Sequence, residues 1–452
     1  MRDVIADALR GHRADYIEVH IEEAESTQIR FRGRQLEELG RSRALGGNVR
    51  ALVQGGWGFV SFNDISQLRR HVEQAVHQAE LARQEPLTLA PIPVVQDTLT
   101  ASAGKDIRHV SLDAKVELLQ DYNDLLWSSA PLQTTAVRYG DSVQHTIFAS
   151  SEGSYIEQEK LDLSASFTAV ARKDDEVEQA FLSTGSQGDV AVLENRQDEI
   201  AAVARRAVDL LSAQRIKGGT YTVIVNPRLA GVFVHEAFGH LSEADAVYEN
   251  PRLREIMVIG RRFGGPQLNI VDSAALPGHR GSYAFDSEGA PASKTYLIRE
   301  GVLVGRLHSR ETAGEMGEPP TGNARAISYR FPPIVRMTNT YIEPGQATFE
   351  QMLSGVEEGI YVKDSFGGQT SMEMFTFSAA EAFMIRRGKL AEPLRGVNLS
   401  GNVFQTLANI EAIGNDLEWS EGGGCGKGEQ SPLPVATGSP HLLIRDVVIG
   451  GG

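Results

Sequence analysis

Hydrophobic and polar positions follow two periods along this chain, and their alternation lays out the expected elements. Residues 16–21 alternate apolar and polar side chains as a half-buried strand does, after a short helical opening that reaches about residue 14. Residues 38–62 place Gly46, Gly47, Gly55, Gly56 and Gly58 between β-favouring runs such as Val49-Arg-Ala-Leu-Val53, which predicts hairpins with glycine-dependent turns. The period then changes. Over residues 65–84, Leu68, Val72, Ala75, Val76, Ala79 and Leu81 share one helical stripe, and residues 114–128 repeat that spacing. Between these helices Pro86, Pro91 and Pro93 forbid continuous helix, so the segment is expected to run extended over the surface as a connector. Alternation returns at residues 133–182 around the turn signal Glu152-Gly-Ser, the pattern of an antiparallel meander.

A long helix is expected over residues 194–214, stopped by Gly218-Gly219, and the domain boundary is placed there. Beyond it, residues 221–227 read as a strand and residues 229–240 as a helix. The remainder is dense in glycine, proline and short β-type runs, with one more helix near residues 348–355. The expected fold is α+β in two domains: an N-terminal α/β domain, residues 1–217, with an antiparallel sheet and helices, and a β-rich C-terminal domain, residues 218–452. A length of 452 residues, more than one hydrophobic core usually serves, agrees with two domains.

Composition narrows the partners. Apolar residues at 41% and charged residues at 23% are ordinary globular usage. A formal charge of −15 repels phosphate backbones and anionic headgroups, so neither nucleic acid nor membrane is an expected partner. The chain has no run of the roughly 20 apolar residues that spans a bilayer, and its opening lacks the apolar core of a signal peptide, so a cytoplasmic address is expected. The single cysteine, Cys425, fits a reducing compartment and leaves one thiol to explain.

The candidate chemistry lies in His235-Glu-Ala-Phe-Gly-His240. Two imidazoles and a carboxylate resemble H-E-x-x-H, but the histidines are five apart rather than four, and a regular α-helix splays such a pair by roughly 140°. A π-bulge, at roughly 4.4 residues per turn, brings them to within about 50° of each other, and Gly239 is expected to supply the backbone freedom for it. Glu236 then points at a water on the ion rather than at the ion, the place of a general base. Cys425 sits in Glu421-Gly-Gly-Gly-Cys-Gly-Lys-Gly428, where flanking glycines permit close backbone approach and the neighbouring lysine suits a stabilised thiolate. Two imidazoles and one thiolate leave a fourth position open for water, as catalytic zinc sites require; iron and cobalt accept the same donors. Two other readings stay open: a thiol hydrolase with Cys425 as nucleophile, and a non-catalytic subunit that binds peptides or a partner through a structural His pair.

Other candidates surround this set. Glu243 and Asp245 are placed to orient an imidazole. Asn323, Arg325, Thr338 and Asn339 are placed either to bind an extended substrate backbone or to stabilise turns. His279 is left outside the site, and Gly428 after Lys427 breaks the phosphate-loop pattern, which needs serine or threonine there.

Five runs together resemble the TldD/PmbA metallopeptidases, in particular the TldD-type member that keeps the metal motif: residues 235–240, Ser282-Tyr-Ala-Phe-Asp-Ser-Glu-Gly-Ala-Pro291, Thr321-Gly-Asn-Ala-Arg325, Arg336-Met-Thr-Asn-Thr-Tyr-Ile342 and Gly424-Cys-Gly-Lys-Gly428. The resemblance implies a cytoplasmic peptidase of unfolded or flexible polypeptides, with His235, His240 and Cys425 holding a divalent metal, zinc first, and Glu236 catalytic. It also implies a homodimer, or a heterodimer with a PmbA/TldE-type paralogue. Ser287 departs from the acid expected beside Asp286, which weakens any paired-acid role there.

Overall fold

The computed structural model describes residues 1–451 and is a mixed α/β architecture built around sheets. Strands from the first part of the chain form one sheet in the order Gly56–Phe62, Gln35–Val53, Tyr16–Arg32, Thr134–Ser150, Tyr155–Lys173, Gln96–Leu99, with Glu176–Ser186 also paired to Tyr155–Lys173. All neighbours are antiparallel except Gln96–Leu99, the end of the proline-rich connector, which runs parallel to Tyr155–Lys173. The strands are longer than their alternating cores predict because the ladder continues through solvent-facing residues, as in the exposed half of Gln35–Val53.

Helices cover the two ends of these long strands. Leu68–Leu81 packs Val72, Ala75 and Ala79 on Ile17, Val19 and Val49, while Leu112–Ser129 and Gln197–Leu210 bury Leu119, Leu126, Val203 and Ala207 with Ile29, Phe31 and Phe167. On Leu68–Leu81 the stripe read from the sequence is buried except for Leu81, which lies at the helix end and is 76% exposed. Asp64 and Ser111 cap the chain where these helical regions begin, their side chains accepting from Ser66 N and Ala114 N.

Later strands form a second sheet, Glu358–Ser371, Gly219–Val225, Leu442–Gly451, Val397–Asn402, Met374–Arg386, Lys389–Arg395 and Gln214–Arg215, and a further pairing of Glu358–Ser371 with Met374–Arg386 closes part of it into a ring. A smaller sheet joins Ile270–Ser273, Lys294–Arg299, Asn339–Ile342, Ala436–Ser439 and Glu418–Ser420. Between the two sheets lies the helix Pro227–Val234. Its start is set by Asn226, whose side chain accepts from Leu229 N at 3.0 Å, and by Pro227 in the first turn, where a missing N–H costs nothing. Phe233 meets Phe375 and Phe377 at 5.3 and 6.1 Å on one side, and Gly231 faces Thr437 on the other, where an added Cβ would stand 3.1 Å from Oγ1. No helix among the described residues is long and apolar enough to cross a membrane.

Candidate metal centre

The helix Pro227–Val234 does not continue as α-helix through the motif. His235–Gly239 is a π-turn in which His240 N donates to His235 O, five residues back. That extra residue per turn turns both imidazoles to the same side, with ring centroids 5.4 Å apart and planes at 81°. Gly239 serves this turn for a reason other than the one expected. Its φ of −57° and ψ of −52° are open to any residue, so no special backbone freedom is needed. What excludes a side chain is Met337, whose Sδ would stand 2.0 Å from a Cβ at Gly239 and which is itself fully buried.

Opposite the π-turn, Gly424–Lys427 pairs with Gln430–Pro434 as a hairpin, Cys425 facing Leu433. Cys425 Sγ lies 3.5 Å from His240 Nε2, and the candidate ligand atoms of His235, His240 and Cys425 all lie within 4.8 Å of one another. An ion with bonds of about 2.1 Å to nitrogen and 2.3 Å to sulfur spaces tetrahedral ligands about 3.5 Å apart, a separation the Cys425–His240 pair already has. His235 and Cys425 are buried, and Nδ1 of His235 has no hydrogen-bond partner among the described residues, a polar atom left to be satisfied by something else. Glu236 is partly exposed, its Oε2 3.9 Å from His240 Nε2.

The charges around the cluster favour cation binding. Burial alone pushes the Cys425 thiol up, but the imidazoles of His235 and His240 overcome it and hold the thiol at about 4. Burial likewise lowers His240, and the Glu243 carboxylate and Cys425 reverse this, raising it to about 10. A thiolate already formed is the protonation state a metal needs, and protons on His240 compete with an ion for the same donors.

Glu243 is buried and accepts from His240 Nδ1 at 3.0 Å, which leaves Nε2 pointing at the thiolate. Lys427 differs from its expected part. Its ammonium does not face the thiolate; it bonds Glu243 at 3.1 Å, both oxygens of Asp245 at 2.7 Å and the Val335 carbonyl at 3.0 Å. One ammonium thus ties the cysteine hairpin to the carboxylate that orients the second histidine. Asp245 reaches the centre only through this lysine.

Arg336 opens one of the family-like runs but was given no role by the sequence. Fully buried, it donates to the Cys425 carbonyl at 2.7 Å and the Gln430 carbonyl at 3.1 Å, fixing the hairpin from behind. The signal available was its place at the head of that run, an arginine among apolar and hydroxyl-bearing residues. Asn323, Thr338 and Asn339 prove to be locks: Asn323 and Thr338 donate to Asp272, and Asn339 donates to the Ser273 carbonyl. His279 sits away from the cluster, hydrogen-bonded to Glu421 at 2.7 Å and packed on Trp419. Asp286 accepts from the backbone N–H of Glu288, Ala290 and Ala324, the pattern of a turn.

Comparison with known proteins extends this picture over the whole chain. Residues 17–79, 105–215 and 218–451 match, in turn, domain 1, the central domain and the C-terminal domain of the PmbA/TldA metallopeptidases. A metalloprotease of Synechocystis sp. is 54% identical over 97% of this chain and 95% of its own length. A zinc metalloprotease TldD homolog of Saccharolobus solfataricus is 31% identical over 90% of each. Among solved structures, TldE from Thermococcus kodakarensis superposes with a TM-score of 0.79 over 99% of this chain and 100% of that one, at 17% identity.

Proposed function

This chain belongs to the PmbA/TldD metallopeptidase family, and we propose that it is a catalytic, TldD-type member that hydrolyses peptide bonds in unfolded or flexible polypeptides. The observation that carries the reading is the convergence of His235 and His240, on a π-turn, with Cys425 from a hairpin remote in sequence. These three residues would hold a divalent ion, zinc before iron or cobalt, for which the His-His-Cys donor set and a thiol held at about 4 are suited. Bound there, such an ion supplies Lewis acidity to the scissile carbonyl and makes water acidic enough to attack near neutral pH.

The chain's own groups do the rest. Glu236, on the open side of the cluster, takes the proton of the attacking water at a carboxylate oxygen and returns it to the leaving amine nitrogen. Glu243 keeps the proton of His240 on Nδ1, so that Nε2 presents its lone pair. Lys427 and Arg336 hold the cysteine strand at its distance. The reading includes a cytoplasmic address and a dimer, formed either with itself or with a PmbA/TldE-type paralogue.

The test is Glu236→Ala. Metal content should match the wild type while cleavage of an unstructured peptide pool falls by about two to four orders of magnitude, the range typical of a lost general base. Undiminished cleavage in that variant would refute the assignment. A wild-type chain that carries no metal and gains no activity on adding one favours a binding subunit instead. Activity that survives chelation but not Cys425→Ser favours the thiol hydrolase.

A further inference from the structure

A cleft of about 620 Å³ opens on the far side of the cysteine hairpin, between the first sheet and the loops of the later part of the chain. Pro432, Leu433 and Pro434, the strand paired to Cys425, form the wall it shares with the metal centre. Besides Arg280, which is paired with Asp162, two cations face it, Lys160 from the strand Tyr155–Lys173 and Arg325 from the strand Ala324–Arg325. Both gather round one aromatic ring: Lys160 Nζ is 5.2 Å and Arg325 Cζ 5.3 Å from the centroid of Tyr283.

Neither cation has a carboxylate within ion-pair distance, although Asp286 and Glu22 act on the charge of Lys160 and Asp272 on that of Arg325 from farther away. Lys160 makes no hydrogen bond or ion pair with any described residue; Arg325 donates only to the carbonyls of Met337 and Pro434, at 2.6 and 2.8 Å, so its charge is solvated but not neutralised. The acids that line the same cleft are already engaged. Asp162 is held by Arg280 at 2.6 and 2.8 Å, Glu159 by Arg108 at 3.1 Å, and Glu22 by the Tyr329 N–H at 3.0 Å. Asp286 is spent on its three backbone donors, while burial with Glu288 beside it pushes its carboxyl up to about 8. Unpaired charge at a partly buried position is costly and is usually relieved by a partner of opposite sign. Burial, with Arg325 nearby, accordingly holds Lys160 down at about 8.

We propose that this cleft is a carboxylate-binding subsite in which Lys160 and Arg325 receive an acidic group of the substrate polypeptide, one hairpin away from the bond to be cut. The proposal rests on the peptidase reading and adds a substrate class to it: peptides that place an Asp or Glu side chain, or their own C-terminal carboxylate, at a fixed distance from the scissile bond. Arg325 donates to the Pro434 carbonyl on the strand paired to that of Cys425, so the subsite is joined to the candidate metal centre through the hairpin. The apolar walls and Tyr283 would take the stem of the side chain.

The experiment scans one flexible peptide with Glu or Gln at successive positions, each with a free or an amidated C-terminus, on the full chain loaded with zinc. Cleavage gives kcat/KM, and fluorescence anisotropy with the Glu236→Gln protein gives binding of the uncut peptides. Discrimination of Glu over Gln at one position assigns the side chain; discrimination of free over amidated ends assigns the terminus. Lys160→Met should lower the acidic-to-neutral ratio about tenfold, the share of one charge-assisted hydrogen bond, and Lys160→Arg should restore most of it. Equal treatment of charged and neutral peptides by the wild type, or an unchanged ratio in Lys160→Met, overturns the subsite. Charge-selective binding without any cleavage upholds the subsite and defeats the peptidase reading; cleavage without charge selectivity does the reverse.

Discussion

Replacing Lys427 by methionine isolates the joint that holds the proposed metal centre together. The methionine keeps most of the stem but removes an ammonium bonded to Glu243, Asp245 and the Val335 carbonyl. Side-chain exposure is 24% for Lys427 and 22% for Asp245 but only 2% for Glu243, so one of the two carboxylates is left deep in the protein with His240 as its remaining counter-charge. Removing one partner of a buried charge network costs about 3–5 kcal/mol, and the partial solvation of Asp245 places this case near about 3 kcal/mol. The second effect is geometric. Glu243 no longer has a fixed position from which to hold His240, and the hairpin bearing Cys425 loses its tie to the π-turn, so metal affinity should fall by about 10- to 100-fold. Urea denaturation of the chelated protein reads the first effect, and competition against a chromophoric zinc chelator reads the second. Adding Asp245→Asn to Lys427→Met should recover part of the stability, because one stranded charge is removed. A stability loss below about 1 kcal/mol together with unchanged metal affinity would show that the lysine is not the joint.

Three further outcomes follow from the same geometry. Gly239→Ala, which at a helical φ and ψ should by itself stabilise by about 0.5–1 kcal/mol, is expected instead to destabilise by about 1–2 kcal/mol because its methyl overlaps Met337, and to weaken zinc binding; a more stable variant with intact affinity defeats the steric account. Chelation should lower the thermal midpoint, since an ion bridging hairpin and π-turn binds the folded chain only; at a free concentration of a hundred Kd the loss is about 2.7 kcal/mol, and an unchanged midpoint contradicts the site. The preference for acidic peptides should fade as pH rises through about 8, where Lys160, surrounded by Arg325, Asp286, Glu22 and Tyr283, gives up its proton. The sign for stability is opposite: the folded value lies below the ordinary lysine value of 10.5, so the cost of burying the ammonium is constant below about 8 and is relieved as pH climbs toward 10.5. A flat selectivity profile from pH 6 to 9.5 rules out Lys160 as the charge being read.

Much of this protein is written locally. The apolar stripes of Leu68–Leu81 and Gln197–Leu210 come from periodicity within a few turns, the start of Pro227–Val234 from an Asn-Pro pair, and the π-turn from two histidines whose separation no α-helix can use. The pairing of Glu243 with His240 was legible for the same reason, since three residues separate them. Other features depend on which strands end up side by side. Cys425 meets His240 across 185 residues, Arg336 meets the Cys425 carbonyl across 89, and Lys160 meets Arg325 round a tyrosine borne by a third segment. Lys427 read as a partner of its neighbour Cys425, yet its hairpin strand aims it at Glu243 and Asp245; Gly239 read as a source of backbone freedom, yet a packed methionine forbids its side chain. Residue identity fixes which groups are able to ligate, donate or carry charge. Sheet register and packing decide which of those groups share a few ångströms of low-dielectric space, and only that proximity turns them into a site.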